Sequence, residues 1–167
     1  MASIEYNSAT EDLHPIDIVE TLAEHNQWDF DRVADDQIAM AIDGNWRTYS
    51  LSLAWAPRDE VLRLICSFEM DPPQDRLAEL YESLNLANDR CWCGGFALWP
   101  EQKLMVYRYG LTLCGGASAG AEQIDGMVRA AVVACERFYP AFQLVCWGGE
   151  AAGSAMRIAM SEAYGHA

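Results

Sequence analysis

At 167 residues, with 51% hydrophobic and 22% charged side chains, the chain is long enough to bury one core and too apolar to be disordered. Eleven Lys and Arg against 25 Asp and Glu give a formal net charge of −14, which repels nucleic acid and anionic membrane surfaces before any local contact forms. No apolar run approaches the roughly 20 residues needed to span a bilayer, and Met1–Asp12 lacks the basic and apolar regions of a secretory signal, so a soluble, cytoplasmic protein is expected, with no nucleic acid and no membrane among its partners.

Residues 1–12 are polar and acidic without periodicity and read as a flexible N-terminal segment ahead of a single domain over 13–167. Pro15 suits the first position of a helix, and Ile18, Val19, Leu22 and Ala23 follow at helical spacing, so a helix runs to about Trp28. Glu11-Asp12, Asp29-Phe30-Asp31 and Asp35-Asp36 read as solvated charge clusters in turns or tails. Three strands follow by alternation, through Ile38, Met40 and Ile42, then Tyr49, Leu51, Leu53 and Trp55, then Leu62, Leu64, Cys66 and Phe68. Gly44-Asn45 and Pro57-Arg58-Asp59 supply the turns of this antiparallel meander, which has one apolar face and one of small or polar side chains.

Asp71-Pro72-Pro73-Gln74 has the composition of a capped helix start, with Leu77, Leu80, Tyr81 and Leu84 as the buried stripe. Two strands over 91–99 and 103–113, joined at Pro100-Glu101-Gln102, then form a hairpin. Phe96, Leu98, Leu104 and Val106 share one parity, and Met105, Tyr107, Tyr109 and Leu111 the other, so both faces of this hairpin are expected to need cover. Gly115–Gly120 is a connector. After it, Ile124, Met127, Val128, Ala131, Cys135 and Phe138 mark a long amphipathic helix that Pro140 should end or bend, and residues 150–163 read as a last short helix. The expected fold is α+β, with five antiparallel strands, helices mainly on one face, and Leu51, Leu53, Leu62, Leu64, Phe68, Leu77, Val128 and Phe138 directed inward.

That order of elements, together with Leu84-Asn85, Gly95-Phe96-Ala97-Leu98, Val106-Tyr107-Arg108-Tyr109-Gly110-Leu111 and Phe138-Tyr139-Pro140-Ala141-Phe142, resembles the YbjN family over about residues 14–148. The resemblance implies a sheet with helices on one face, a fold similar to that of type III secretion chaperones, and a tendency to dimerise. It implies a sensory transduction regulator, a label that names no reaction, and it carries over neither catalytic residues nor a cofactor. The expectation is therefore a non-enzymatic, chaperone-like or regulatory module that binds protein as a homodimer. A patch of Tyr107, Tyr109 and Leu111 is the candidate interaction surface.

Other constellations test weaker chemistry. The six cysteines sit in hydrophobic stretches and read as reduced core residues without a bound metal. Cys91 and Cys93, two apart in the expected strand, would share a face with Cα atoms about 6.5–7 Å apart, near the upper limit for a disulfide. A thiol-based redox or metal sensor built on them, joined by Cys66 or Cys114, is the alternative; a small-molecule pocket lined by Trp46, Trp55 and Trp92 is another. His14 and His25 would lie about 16 Å apart along one helix, too far for one metal ion. The glycines of 115–120 lack the Gly-Lys-Ser/Thr of a phosphate loop, and neither Ser118 nor Ser154 sits in a nucleophile motif.

Overall fold

The structure is a computed structural model that describes residues 13–164, with side chains as far as Ser161; the segment expected over residues 1–12 lies outside it. Helix α1 (Pro15–His25) leads into four consecutive strands, β1 (Asp29–Ala34), β2 (Gln37–Asp43), β3 (Thr48–Ala56) and β4 (Val61–Glu69). A 3-10 turn (Gln74–Arg76) and helix α2 (Leu77–Asn88) connect these to the hairpin of β5 (Gly94–Trp99) and β6 (Leu104–Thr112). Helices α3 (Ala121–Cys146) and α4 (Ala152–Tyr164) follow. All strands pair antiparallel in one six-stranded sheet of order β1-β2-β3-β4-β6-β5.

The sixth strand, β1, corrects the expectation of five. Its alternation carries Phe30 and Arg32 rather than two apolar residues inward, and Arg32 satisfies itself on α1 through Asp17 at 2.9 Å and Glu20 at 2.6 Å. Helix α1 begins as expected at Pro15, with the His14 ring nitrogen accepting a 3.2 Å hydrogen bond from the Ile16 N–H. It ends where Gln27 takes φ 57° and the N–H groups of Trp28 and Gln27 return to the Ala23 and Glu24 carbonyls, the bond pair that closes many helices.

The start of α2 differs from expectation. Asp71 does not cap it but faces Lys103 at 3.0 Å, because Pro72-Pro73 stays extended and the helix forms only after the 3-10 turn. Its buried stripe is Leu80, Ser83, Leu84 and Ala87, while Tyr81 is exposed. Arg76 and Glu79 clamp the α3–α4 junction: Arg76 donates to the Val145 and Glu150 carbonyls, and Glu79 accepts from the Ala152 N–H. Pro140 does not end α3, which runs six residues past it to Cys146. Burial of Ala141, Phe142, Val145 and Cys146 outweighs the roughly 3 kcal/mol that an internal proline costs.

The core lies between the helices and one face of the sheet. Cross-strand rows feed it, one running Phe30, Met40, Leu51, Cys66, Tyr107 and Phe96, the next Arg32, Ile38, Leu53, Leu64 and Tyr109. Helices α1 and α3 press Ile16, Val19, Met127, Val128 and Phe138 onto these rows. Of the inward residues expected, only Leu77 is merely half-buried.

Candidate functional site

Helices cover one face of the sheet, so the alternate residue of every strand points the other way. The register lines these residues up in rows. One row reads Asp31, Ala39, Ser52, Ile65, Arg108 and Gly95 from β1 to β5, and its neighbour reads Asp29, Ala41, Ser50, Ser67, Val106 and Ala97. The face therefore divides into two halves. Strands β1 to β3 present mostly small side chains and three exposed aspartates, Asp29, Asp31 and Asp43, whereas β4, β6 and β5 present Val61, Ile65, Leu104 and Trp99 with Arg63, Arg108 and Glu69.

This larger half is concave. A hollow of about 680 Å³ is lined by Val61, Arg63, Ile65, Trp99, Arg108 and Gly110. Val106 on the same side is fully buried and gives that half a covered apolar floor. Gly110 stands where a side chain would press on Val61, a Cβ there coming within 3.3 Å of it. Arg63 pairs with Asp59, while Arg108 is exposed with no ion-pair partner among the described residues. With Arg63 paired to Asp59, the positive charge that stands over the apolar hollow in this chain of net charge −14 is that of Arg108.

The interaction surface expected from Tyr107, Tyr109 and Leu111 is on the wrong face. Phe96 pairs with Tyr107 and Leu98 with Met105, so residues of opposite parity share a side across the hairpin. Tyr107 is 3% exposed and stacks edge-on to Phe96 at 5.2 Å, and Tyr109 and Leu111 pack half-buried against the same core. Burial pushes the Tyr107 and Tyr109 hydroxyls upward in pKa. The hairpin's other face carries Ala97, Trp99, Leu104, Val106 and Arg108, and among the described residues no helix packs on it.

Cys91 and Cys93 fall in the loop before β5 rather than in a strand, so strand alternation does not align their thiols. Cys91 is half-buried, its thiol raised by burial with the Arg137 charge opposing, and Cys93 is exposed beside the Tyr109 hydroxyl. Cys66 does not join them. It meets Cys135 of α3 instead, sulfur to sulfur at 3.6 Å in the core, where the hydrogen bond to Cys66 and burial hold the Cys135 thiol far above its ordinary value. Among the described residues no three His, Cys, Asp or Glu side chains converge as a metal ion needs. The three tryptophans do not form a pocket either. Trp46 precedes β3 and Trp55 sits near its far end, about 23 Å along the strand from Thr48, while Trp92 is 96% exposed.

Sequence reasoning missed Glu136. From α3 its carboxylate accepts hydrogen bonds from the Asn45 and Trp46 N–H groups, at 3.0 and 3.2 Å, and from the Tyr49 hydroxyl at 2.6 Å, tying the β2–β3 turn to the helix layer. Gly44 permits this approach, since a Cβ there would run into the Glu136 carboxylate and the Tyr49 ring. Arg47 lies over Phe68 and Tyr139, and Trp46 stacks on Tyr139. These contacts fix a turn and leave no open site. Asn88 likewise holds the outer edge of β5, accepting from the Phe96 N–H at 2.6 Å and donating to its carbonyl at 3.0 Å.

The profile of the YbjN family, described as "Putative bacterial sensory transduction regulator", matches residues 15–144, and this chain belongs to that family. The crystal structure of YbjN, "a putative transcription regulator from E. coli", superposes with a TM-score of 0.53 at 11% identity, over 74% of this chain and 90% of that one. At that identity the likeness is one of fold. No curated protein matches the chain. Among the described residues no helix is long and apolar enough to cross a membrane.

Proposed function

We propose that this member of the YbjN family is a non-catalytic regulatory protein that acts by binding protein, as a homodimer, through the open face of its sheet. One observation carries the reading: among the described residues helices cover one face of the six-stranded sheet, and the other face holds a concave apolar half bearing Arg63 and Arg108. A sheet face with partly exposed Ile65, Leu104 and Trp99 gains free energy when a second surface removes it from water.

The displaced titrations belong to buried or half-buried groups that pack the core. The thiols of Cys91, Cys135 and Cys146 and the hydroxyls of Tyr49, Tyr107 and Tyr109 are all shifted upward, so they stay protonated at neutral pH and offer neither a thiolate nor a poised base. A regulatory or chaperone-like action then depends on surfaces rather than on bond chemistry.

Light scattering on three proteins tests this. Wild type should show twice the 18.6 kDa chain mass at micromolar concentration. Ile65→Arg on the open face should return the chain mass, and Val133→Arg on an exposed position of α3 should leave the dimer intact. Chain mass for the wild type at every concentration would contradict the homodimer.

A further inference from the structure

The two halves of the open face complement one another, and this determines how two copies fit. We propose that the partner on this face is a second copy of the chain, related by a two-fold axis parallel to the strands and passing between β3 and β4, so that β1–β3 of one copy cover β4, β6 and β5 of the other. The proposal rests on the reading of the open face as the working surface.

Rotation about such an axis reverses the strand order, so each row lies over itself read backwards. Asp31, Ala39, Ser52, Ile65, Arg108 and Gly95 then oppose Gly95, Arg108, Ile65, Ser52, Ala39 and Asp31. Ile65 meets Ser52, and Arg108 extends over Ala39 towards Asp31 one strand away. In this row large side chains fall on small ones and the exposed Arg108 falls beside the exposed Asp31, twice by symmetry, while at the end of the sheet Leu104 falls on Asp43. Sheets packed at about 10 Å need this alternation of bulk to close without voids.

A two-fold axis across the strands is excluded by the same rows. It would stack β6 on β6 and β1 on β1, setting arginine against arginine, aspartate against aspartate, and the bulky half against itself. The area is adequate for the strand-parallel arrangement. Six strands at a spacing of about 4.8 Å, each about 24 Å long, present about 700 Å² per copy, close to the roughly 800 Å² per partner of a standard interface.

Sedimentation equilibrium on four proteins tests the pairing: wild type, Asp31→Arg, Arg108→Asp and the double variant, each checked for unchanged circular dichroism. Both residues are exposed, so the fold tolerates either change. Each single variant should weaken the dimer about tenfold, and the double variant should recover to within about threefold of wild type. Weakening without recovery, or dimers unaffected by all three, would overturn this pairing while the homodimer stands. A wild-type chain that stays monomeric at tens of micromolar would overturn the homodimer itself, and the pairing with it.

Discussion

The carboxylate of Glu136 on α3 accepts a 2.6 Å hydrogen bond from the hydroxyl of Tyr49, a fully buried residue of β3 lying 87 positions earlier in the chain. Together with the Asn45 and Trp46 N–H groups it gives one carboxylate three donors at the point where sheet and helix layer meet. Glu136→Ala should cost about 2–3 kcal/mol, since the Tyr49 hydroxyl loses its charged partner inside the core. Urea denaturation measures this, and a midpoint shift no larger than that of Glu122→Ala, exposed in the first turn of α3, would show that the contact contributes nothing.

Stability should fall in alkali. Burial is the largest cause of raised pKa values at Tyr49 and Tyr107, and it pushes the Cys146 thiol up to about 11 against the opposing charge of Arg76. Each group holds its proton more tightly folded than unfolded, so its contribution is complete below the unfolded values of about 8.5 for Cys and 10 for Tyr, and declines as pH rises beyond them. Thermal unfolding from pH 8 to 11 should show a falling midpoint, beginning with the raised thiols of Cys91, Cys135 and Cys146 and steepening as the tyrosines enter. Tyr107→Phe should flatten the upper part of that curve, and a slope identical to wild type would contradict the assignment.

Leu64, 1% exposed on β4, should cost about 2–5 kcal/mol on truncation to Ala, because the close-packed layer beneath α3 collapses only in part around the space. A denaturation midpoint matching that of Val133→Ala, an exposed position of α3, would remove Leu64 from the core.

The thiols should separate by reactivity. Cys93 and Cys114 are exposed, Cys91 is half-buried, and Cys66, Cys135 and Cys146 are buried. An aromatic disulfide reagent should therefore modify Cys93 and Cys114 quickly in the native protein and reach Cys66 and Cys135 only after denaturant is added. Native-state labelling of Cys135 at the rate of Cys93 would mean that α3 opens readily from the sheet.

Much of the fold is legible in local pattern. The alternation through Leu51 and Leu53 and through Leu62 and Leu64, and the helical spacing from Ile124 to Phe138, each name the face that the structure buries. What stays hidden depends on partners distant in sequence. Strand β1 reads as a charged turn because the partners that satisfy its inward Arg32 lie on α1. The hairpin reads as apolar on both faces because the pairing of Phe96 with Tyr107 joins opposite parities, and that register comes from the turn at Pro100–Lys103. Helix α3 survives Pro140 through tertiary burial that no local rule counts. The site suffers most from this: an error of one parity moves the open face from Trp99, Leu104 and Arg108 to Tyr107, Tyr109 and Leu111.

If the sheet face opposite the helices is the surface through which this protein binds, hydroxyl-radical footprinting across a dilution series reads it side chain by side chain. As concentration rises through the dimerisation range, Trp99, Leu104 and Ile65 should lose reactivity, while Trp147 and Tyr81, exposed in the helix layer, should keep theirs. Constant reactivity at Trp99, or protection confined to Trp147 and Tyr81, would place the interface elsewhere and contradict the account.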